Sequence, residues 1–310
     1  MDAGVKTKKP GAQVERARKG SEPGANAAIK SVGIIGAGQM GNGIAHVVAL
    51  AGYDVAINDL RKEAVDKARS TIERNMARQV SRGIITDAEM QAALKRIQVA
   101  SDLQAVGEAD LVIEAATEDE AIKRKIFIEL CPRLKKSAIL ATNTSSISIT
   151  RLGSVTDRPE RFIGIHFMNP VPMMQLVELI RGIATEDETF WLAKSFIESL
   201  GKSIAVSEDF PAFIVNRILL PMINEAVYTL YEGVGTVESI DKAMRMGANH
   251  PMGPLELADF IGLDVCLGVM RVLHEGLGGD QFRPPAVLER LVAEARLGQK
   301  TGQGFYRYPR

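Results

Sequence analysis

Short apolar runs alternate with longer amphipathic stretches over the first two thirds of the chain. The first run, SVGIIG at 31–36, leads into a helical pattern at 39–52 that ends at Gly52. The same reasoning predicts further buried strands at 54–59, 97–100, 109–115, 137–143, 161–167, 175–181 and 202–206. Helices are predicted between many of them, at 61–82, 118–130 and 187–200. This alternation predicts an α/β unit with a mostly parallel sheet and helices on both faces.

The pattern changes after Asp209. Apolar residues three and four positions apart recur in the segments 214–233, 238–246, 255–274 and 286–297, and none of these is typical of a strand. We therefore predict an α/β domain at 29–208 and an all-α domain at 209–310. Residues 1–28 are rich in Lys, Arg, Gly, Ala and Pro without hydrophobic periodicity, which predicts a disordered leader. A transit peptide is the alternative, and the acidic residues of this segment argue against it.

Composition excludes several classes of protein. Of the 310 residues, 46% are hydrophobic and 25% are charged, a balance typical of a globular protein. The formal net charge is zero, so we expect no nucleic-acid partner, and no apolar run is long enough to indicate a membrane span. The two cysteines, Cys131 and Cys266, have no metal or redox spacing. They indicate a cytoplasmic protein without a disulfide framework.

The segment GAGQMG at 36–41 fits the pattern G-x-G-x-x-G between a predicted strand and a predicted helix. Gly36 would allow the tight turn, Gly38 would let a pyrophosphate approach the backbone, and Gly41 would let the helix pack on the strand. The helix N-terminus would offer N–H groups to the phosphates. In this context the motif predicts a dinucleotide site in a doubly wound, Rossmann-type domain, whereas a structural turn is the alternative.

Asp59 follows the second predicted strand, 18 residues after Gly41. A carboxylate at this place would accept hydrogen bonds from the ribose 2′-hydroxyl and repel a 2′-phosphate, which favours NAD over NADP. Arg61 lies nearby and could pair with such a phosphate, which leaves NADP as the alternative.

His166 and Glu178 lie in two apolar runs, RFIGIHF and QLVELIR, that a short segment joins. An ionised Glu in an apolar strand is costly unless it is paired. Two strands with so short a connection would bring the two side chains together. The carboxylate would then orient one ring nitrogen while the other takes a proton. The alternative is a structural core histidine beside a solvent-facing Glu. Of the other histidines, His46 is predicted to pack inside the first helix.

Two further polar positions support a site. Ser145 follows the strand SAILATN, at the sheet edge where α/β domains bind ligands, and could donate to a substrate oxygen. Its alternative role is the N-cap of the next helix. Asn216 falls on an apolar helical stripe and so needs a partner, which a ligand or an interdomain hydrogen bond would provide.

Together these motifs resemble the 3-hydroxyacyl-CoA dehydrogenase family from about residue 30 to the C-terminus. The segments that carry the resemblance are GAGQMGNGIA, VIEAATED, ATNTSSISIT, HFMNPVPMMQLVEL, FIVNRILLPMINEA, GANHPMGPLELADFIGLD and KTGQGFY. The compact length is similar to that of bacterial 3-hydroxybutyryl-CoA dehydrogenases. One departure is Ala212, which stands in DFPAFIVNR where the family usually has Gly. The resemblance implies a homodimer formed through the helical domain.

The resemblance also assigns residues. It implies that His166 is the catalytic base, that Glu178 orients it, and that Ser145 and Asn216 contact the substrate. It places the cofactor against a set of residues that begins in the glycine loop: Gly36, Gly38, Gln39, Met40, Gly41, Asp59, Glu118, Lys123, Asn143, Ser145 and Asn169. The resemblance also implies that Thr71 and Arg78, on the long helix after Arg61, contact coenzyme A.

The implied reaction is reversible oxidation of a short-chain (S)-3-hydroxyacyl-CoA to the 3-ketoacyl-CoA with NAD. His166 would remove the 3-hydroxyl proton, and Glu178 would stabilise the charge that the imidazole gains. No cluster of metal ligands is visible in the sequence, so we expect no metal. Two alternatives stay open: a related dehydrogenase of a hydroxy acid without coenzyme A, and a non-catalytic dinucleotide-binding protein.

Overall fold

This computed structural model describes residues 29–100 and 102–309, and the predicted leader lies outside these ranges. The chain divides into two compact units between Phe210 and Pro211. Each unit has its own buried apolar core. The sequence-based boundary stands two residues earlier, after residue 208.

The first unit is built on one sheet, which has eight strands within the described residues. The strands are β1 (Ser31–Ile35), β2 (Asp54–Asn58), β3 (Ile97–Val99), β4 (Leu111–Glu114), β5 (Ile139–Thr142), β6 (Phe162–Phe167), β7 (Leu176–Arg181) and β8 (Ser203–Glu208). Their order across the sheet is β3-β2-β1-β4-β5-β6-β7-β8. Strands β1 to β6 are parallel, whereas β7 is antiparallel to β6 and parallel to β8. The predicted mostly parallel sheet is confirmed.

Helices connect the strands of the first unit. They are α1 (Gln39–Leu50), α2 (Lys62–Ser81), α3 (Asp87–Arg96), α4 (Leu103–Gly107), α5 (Glu120–Leu130), α6 (Ile149–Gly153) and α7 (Asp187–Ser199). The chain reverses its direction of travel across the sheet after β3, and right-handed crossovers on either side of β1 therefore place helices on both faces. The carboxyl ends of β1 and β4 meet at this reversal, which is where α/β sheets bind ligands.

The second unit is helical. It contains α8 (Val215–Tyr231), α9 (Val237–Gly247), α10 (Pro254–Ile261), α11 (Leu263–Leu277) and α12 (Ala286–Ala293). From 211 to 309 the structure has isolated β-bridges but no strand. The segment 255–274, in which the apolar spacing is helical, contains two helices, because Gly262 adopts φ +106° and separates α10 from α11. Across the described parts of the chain, no helix combines the length and the hydropathy that a membrane crossing requires.

Candidate active site

The glycine loop joins β1 to α1 beside the end of β4. Gly36 has φ +100°, and a Cβ there would lie 2.6 Å from the carbonyl oxygen of Ala115. A Cβ on Gly41 would collide with the carbonyl oxygen of Gly36, so both glycines are required by close packing. A Cβ on Gly38, in contrast, would meet nothing within 4 Å. This exposed backbone at the start of a helix fits the pyrophosphate of a dinucleotide.

Asp59 follows β2, and its carboxylate holds the glycine loop by a hydrogen bond. Its Oδ2 accepts the N–H of Ala37 at 2.9 Å, and its Oδ1 accepts the N–H of Arg61 at 3.1 Å. The Nε atom of Arg61 lies 4.0 Å from Oδ1, on a side chain that is 80% exposed. The carboxylate and the cation that bear on the choice between NAD and NADP therefore lie side by side.

A cavity of about 910 Å³ opens beside this loop. Gly36 and Asp59 line one part of it, and the apolar side chains of Leu60, Leu103 and Ile122 line another. The side chain of Leu60 is completely exposed. A carboxylate next to apolar walls suits a nucleoside, which has a polar ribose and a flat, largely apolar base.

His166 and Glu178 lie directly opposite each other on the antiparallel strands β6 and β7. The Nδ1 atom of His166 lies 2.7 Å from Oε2 of Glu178, and the side chains are 6% and 0% exposed. The predicted approach of these two residues is confirmed, and the Glu does not face solvent as the alternative required. Because the carboxylate contacts Nδ1, Nε2 is the ring nitrogen that would exchange a proton with a substrate.

Glu118 organises the turn that follows β5. Its Oε1 accepts the hydroxyl of Thr144 at 2.7 Å, the N–H of Ser145 at 2.8 Å and the hydroxyl of Ser146 at 3.0 Å. The side chain of Ser145 is half-buried. Two predicted site residues, Glu118 and Ser145, are thus in contact through a backbone N–H.

The helix after this turn is capped by Ser148. Its hydroxyl oxygen accepts the N–H of Arg151 in the first turn of α6. The alternative assignment of Ser145 as the N-cap is therefore wrong, since the helix begins three residues later than that assignment required.

Lys123 is buried in α5 against Glu114, a residue that the sequence analysis did not identify. Its Nζ donates to the two carboxylate oxygens of Glu114 at 2.8 and 2.7 Å and lies 3.9 Å from Oε2 of Glu118. Glu114 ends the fully buried strand LVIE. Its place at the carboxyl end of a buried parallel strand is a weak signal in the sequence, because a Glu there is equally compatible with solvent exposure.

Two asparagines and a glutamine connect parts of the predicted site. Asn143 accepts the N–H of Phe167 on its Oδ1 at 2.8 Å, next to His166. Asn169 accepts the side-chain amide of Gln39 at 3.0 Å, and the Asn169–Pro170 peptide bond is cis. These contacts join the end of β5 to β6, and the glycine loop to the segment after β6.

A second cavity, of about 680 Å³, lies between α1, α2 and the segment 169–172. Thr71 lines it, with Arg61, Lys67 and Asn75. Arg78 is exposed on the same helix but does not line the cavity. The structure therefore groups Thr71 and not Arg78 with this cavity. Lys67 and Asn75, one turn before and after Thr71, were missed, although helical spacing could have identified them.

The two remaining predicted residues lie in different units. Met40 is half-buried in the first turn of α1, within the glycine motif. Asn216 is half-buried in the first turn of α8, in the second unit. Asn216 is therefore the one predicted site residue that the first unit does not supply.

Family models match both units. The NAD-binding domain of 3-hydroxyacyl-CoA dehydrogenase matches residues 31–210, and the C-terminal domain of the same enzyme matches residues 213–308. A 3-hydroxybutyryl-CoA dehydrogenase of Bradyrhizobium diazoefficiens is 64% identical over 282 residues, which cover 91% of this chain and 96% of the relative.

Comparison with solved structures points to the same family. The (S)-3-hydroxybutyryl-CoA dehydrogenase of Ralstonia eutropha superposes with a TM-score of 0.88 at 45% identity, covering 91% of this chain and 100% of that one. The M. tuberculosis protein FadB2 superposes with a TM-score of 0.89 at 40% identity and the same coverage. The chain therefore belongs to the 3-hydroxyacyl-CoA dehydrogenase family and is an NAD-dependent oxidoreductase of hydroxyacyl-CoA.

Proposed function

We propose that this enzyme interconverts (S)-3-hydroxybutyryl-CoA and acetoacetyl-CoA, with NAD as its cofactor. The observation that carries the proposal is the buried contact of 2.7 Å between His166 and Glu178. The short acyl chain is supported by relatives whose names specify 3-hydroxybutyryl-CoA, at 64% identity in Bradyrhizobium diazoefficiens and 43% in Clostridioides difficile.

In the proposed reaction, His166 acts as the base. Bound NAD supplies the hydride acceptor for C3 of the substrate. Nε2 of His166 takes the proton of the 3-hydroxyl group, and Glu178 keeps the other ring proton on Nδ1. The carboxylate also stabilises the imidazolium cation that forms, in an environment from which water is largely excluded.

The cofactor and substrate contacts are supported to different degrees. For the cofactor, the support is the open backbone at Gly38, together with two hydrogen bonds. Asp59 accepts one from the glycine loop, and Glu118 accepts one from the N–H of Ser145. Coenzyme A carries phosphates, and Lys67 and Arg61 place cationic groups beside Thr71 in the 680 Å³ cavity. The substrate contacts of Ser145 and Asn216, and a coenzyme A contact of Arg78, rest on the family resemblance.

The proposal includes a homodimer formed through the helical unit and a reducing, cytoplasmic location. Large apolar side chains of that unit are exposed, among them Ile218, Tyr231, Val234 and Met246, and such side chains favour a protein interface. Both cysteines of the chain are buried thiols without a disulfide, as a reducing compartment requires. Light scattering on the purified chain tests the dimer, which a monomeric mass would contradict.

A second candidate is a dehydrogenase or reductase of a substrate without coenzyme A. It is favoured by the likeness to a diketoreductase that acts on dicarbonyl compounds, with a TM-score of 0.78 at 29% identity. The His–Glu pair would serve that chemistry equally well.

Oxidation of NADH by acetoacetyl-CoA, followed by absorbance, tests the proposed function. NADPH and free acetoacetate are run in parallel. We expect rapid turnover with the CoA ester and NADH, and little with free acetoacetate. Turnover of ketones without coenzyme A, and none with the ester, would favour the second candidate. Binding of NADH without turnover of any substrate would indicate a non-catalytic protein.

A further inference from the structure

The carboxyl end of β4 holds a carboxylate that the proposed mechanism does not use. Glu114 is completely buried. Its oxygens accept four hydrogen bonds: two from Nζ of Lys123 at 2.8 and 2.7 Å, one from the hydroxyl of Thr142 at 2.8 Å, and one from the N–H of Ala116 at 2.8 Å. A buried carboxylate is tolerated only with such compensation, and here the donors come from three different segments.

One of these donors belongs to the wall of the glycine loop. Ala116 lies in the turn after β4, and its Cα would be 2.7 Å from a Cβ placed on Gly36. The bond from the N–H of Ala116 to Glu114 therefore fixes the surface on which the glycine loop packs. A shift of this turn would change the position of the backbone that is proposed to bind the pyrophosphate.

The other donors lead to the turn of Ser145. Thr142 is the last residue of β5 and precedes that turn. Lys123 lies 3.9 Å from Glu118, whose carboxylate accepts the N–H of Ser145. Glu114 is thus connected to this turn in two ways: directly through the hydroxyl of Thr142, and indirectly through Lys123 and Glu118.

We propose that Glu114 is a positioning residue for the NAD site. From its buried place it sets the position of Lys123 and of the turns that carry Gly36 and Ser145. The inference rests on the proposed function, because it assumes that the cofactor binds at this edge of the sheet. A purely structural role would stabilise the fold without changing the affinity for the cofactor.

Asp110 provides a matched control at the opposite end of β4. It immediately precedes β4, accepts hydrogen bonds from the N–H groups of Lys30 and Ser31, and pairs with Lys135. Its oxygens also accept the hydroxyl of Ser31, so Asp110 resembles Glu114 in having a lysine partner and four hydrogen bonds in all. It lies at the amino end of the strand, away from the glycine loop.

The test compares Glu114→Gln with Asp110→Asn in the full-length protein. The dissociation constant for NADH is measured by the fluorescence of the bound cofactor, well below each melting temperature. For Glu114→Gln we expect it to rise about tenfold or more, because charged hydrogen bonds of this kind are lost. Asp110→Asn should melt earlier but bind NADH as the wild type does.

A folded Glu114→Gln variant that binds NADH like the wild type would overturn the proposal. If that variant does not fold, Thr142→Val decides, since it removes one donor to Glu114 and keeps the side-chain volume; unchanged NADH affinity there would also overturn it. Because NADH binding is measured without substrate, failure of the wild type to turn over acetoacetyl-CoA would refute the proposed substrate and leave this comparison intact.

Discussion

At the scale of residues, the proposed chemistry depends on a carboxylate that is completely buried. Glu178 lies in the interior of β7, and the antiparallel pairing places His166 opposite to it. A buried negative charge strongly favours a neighbouring cation, so the pair is suited to a histidine that becomes charged during each turnover.

Glu178→Gln tests this role. The amide keeps the size of the side chain but cannot stabilise an imidazolium with a full charge, so we expect kcat to fall by about 10² or more while NADH binding is unchanged. Steady-state kinetics and NADH fluorescence measure the two quantities. Glu188→Gln, in the exposed first turn of α7, is the control. A kcat within about threefold of the wild type would mean that Glu178 has a structural role and no catalytic one.

Asp59→Ser tests the choice of cofactor. Removing the carboxylate abolishes its repulsion of a 2′-phosphate and leaves Arg61 able to pair with one. We expect the ratio of kcat/KM for NADPH to that for NADH to rise about tenfold or more. An unchanged ratio would mean that Asp59 acts only by holding the N–H of Ala37.

The sequence predicted the contact of His166 with Glu178 because the two lie in adjacent apolar runs with a short connection. It did not reveal Glu114, for a physical reason. The partner of Glu114 is Lys123, on the helix that follows β4, and their contact depends on how that helix packs against the sheet edge. Local periodicity carries no information on such packing, and a Glu at the end of a strand is equally compatible with solvent exposure.

At the scale of elements, the packing of α1 on α2 contains a titratable group. His46 is buried as predicted, and its Nε2 lies 2.9 Å from Oε1 of Gln79. Burial lowers the pKa of His46 below 6.5, the hydrogen bond with Gln79 opposes this shift, and the charge of Lys202 adds to it. The folded protein therefore takes up the proton less readily than the unfolded chain does.

It follows that acid weakens this packing. Below pH 6.5 the unfolded chain gains protons first, so stability is lost as the pH falls from 6.5 through the lowered pKa. We expect His46→Leu to reduce this loss, measured as the free energy of unfolding in urea at about pH 7.5 and about pH 5.5. His274→Leu, at a partly exposed site, is the control. An equal loss in His46→Leu and the wild type would contradict the assignment.

Hydrophobic periodicity does not locate every boundary between elements. The apolar spacing continues through Gly262, so it does not show the break between α10 and α11 that the structure has there. Asp259 in α10 accepts the N–H groups of Phe305 and Tyr306 at 2.9 and 2.8 Å. Burial raises the pKa of Asp259, against the effect of these two bonds. Such contacts join residues more than forty positions apart, and a local pattern cannot reveal them.

At the scale of the whole molecule, the change from alternating elements to helices alone was visible in the sequence, because the two kinds of unit have different hydrophobic periods. The glycine loop and the residues proposed to contact NAD all lie in the first unit. The single tryptophan of the chain, Trp191, lies in α7 of the same unit, where it contacts Phe190 edge-on at 5.4 Å. Its fluorescence therefore reports on the unit that is proposed to bind the cofactor.

We expect NADH to stabilise this unit. At a concentration of 100 times its dissociation constant, a ligand that binds only the folded state adds about 2.7 kcal/mol to the free energy of unfolding. The urea transition followed by Trp191 fluorescence should move to higher urea by the corresponding amount. NADPH at the same concentration should move it less. A transition that NADH leaves in place would contradict a cofactor site in the first unit.

The most direct test of His166 as the catalytic base is the rate of acetoacetyl-CoA-dependent NADH oxidation by His166→Gln, compared with the wild type. The NADH dissociation constant of each protein is measured alongside. We expect a kcat lower by about 10³ or more and an unchanged dissociation constant, because only the proton transfer is lost. A variant that binds NADH and turns over the CoA ester at nearly the wild-type rate would show that the buried His–Glu pair is not the catalytic base of this enzyme.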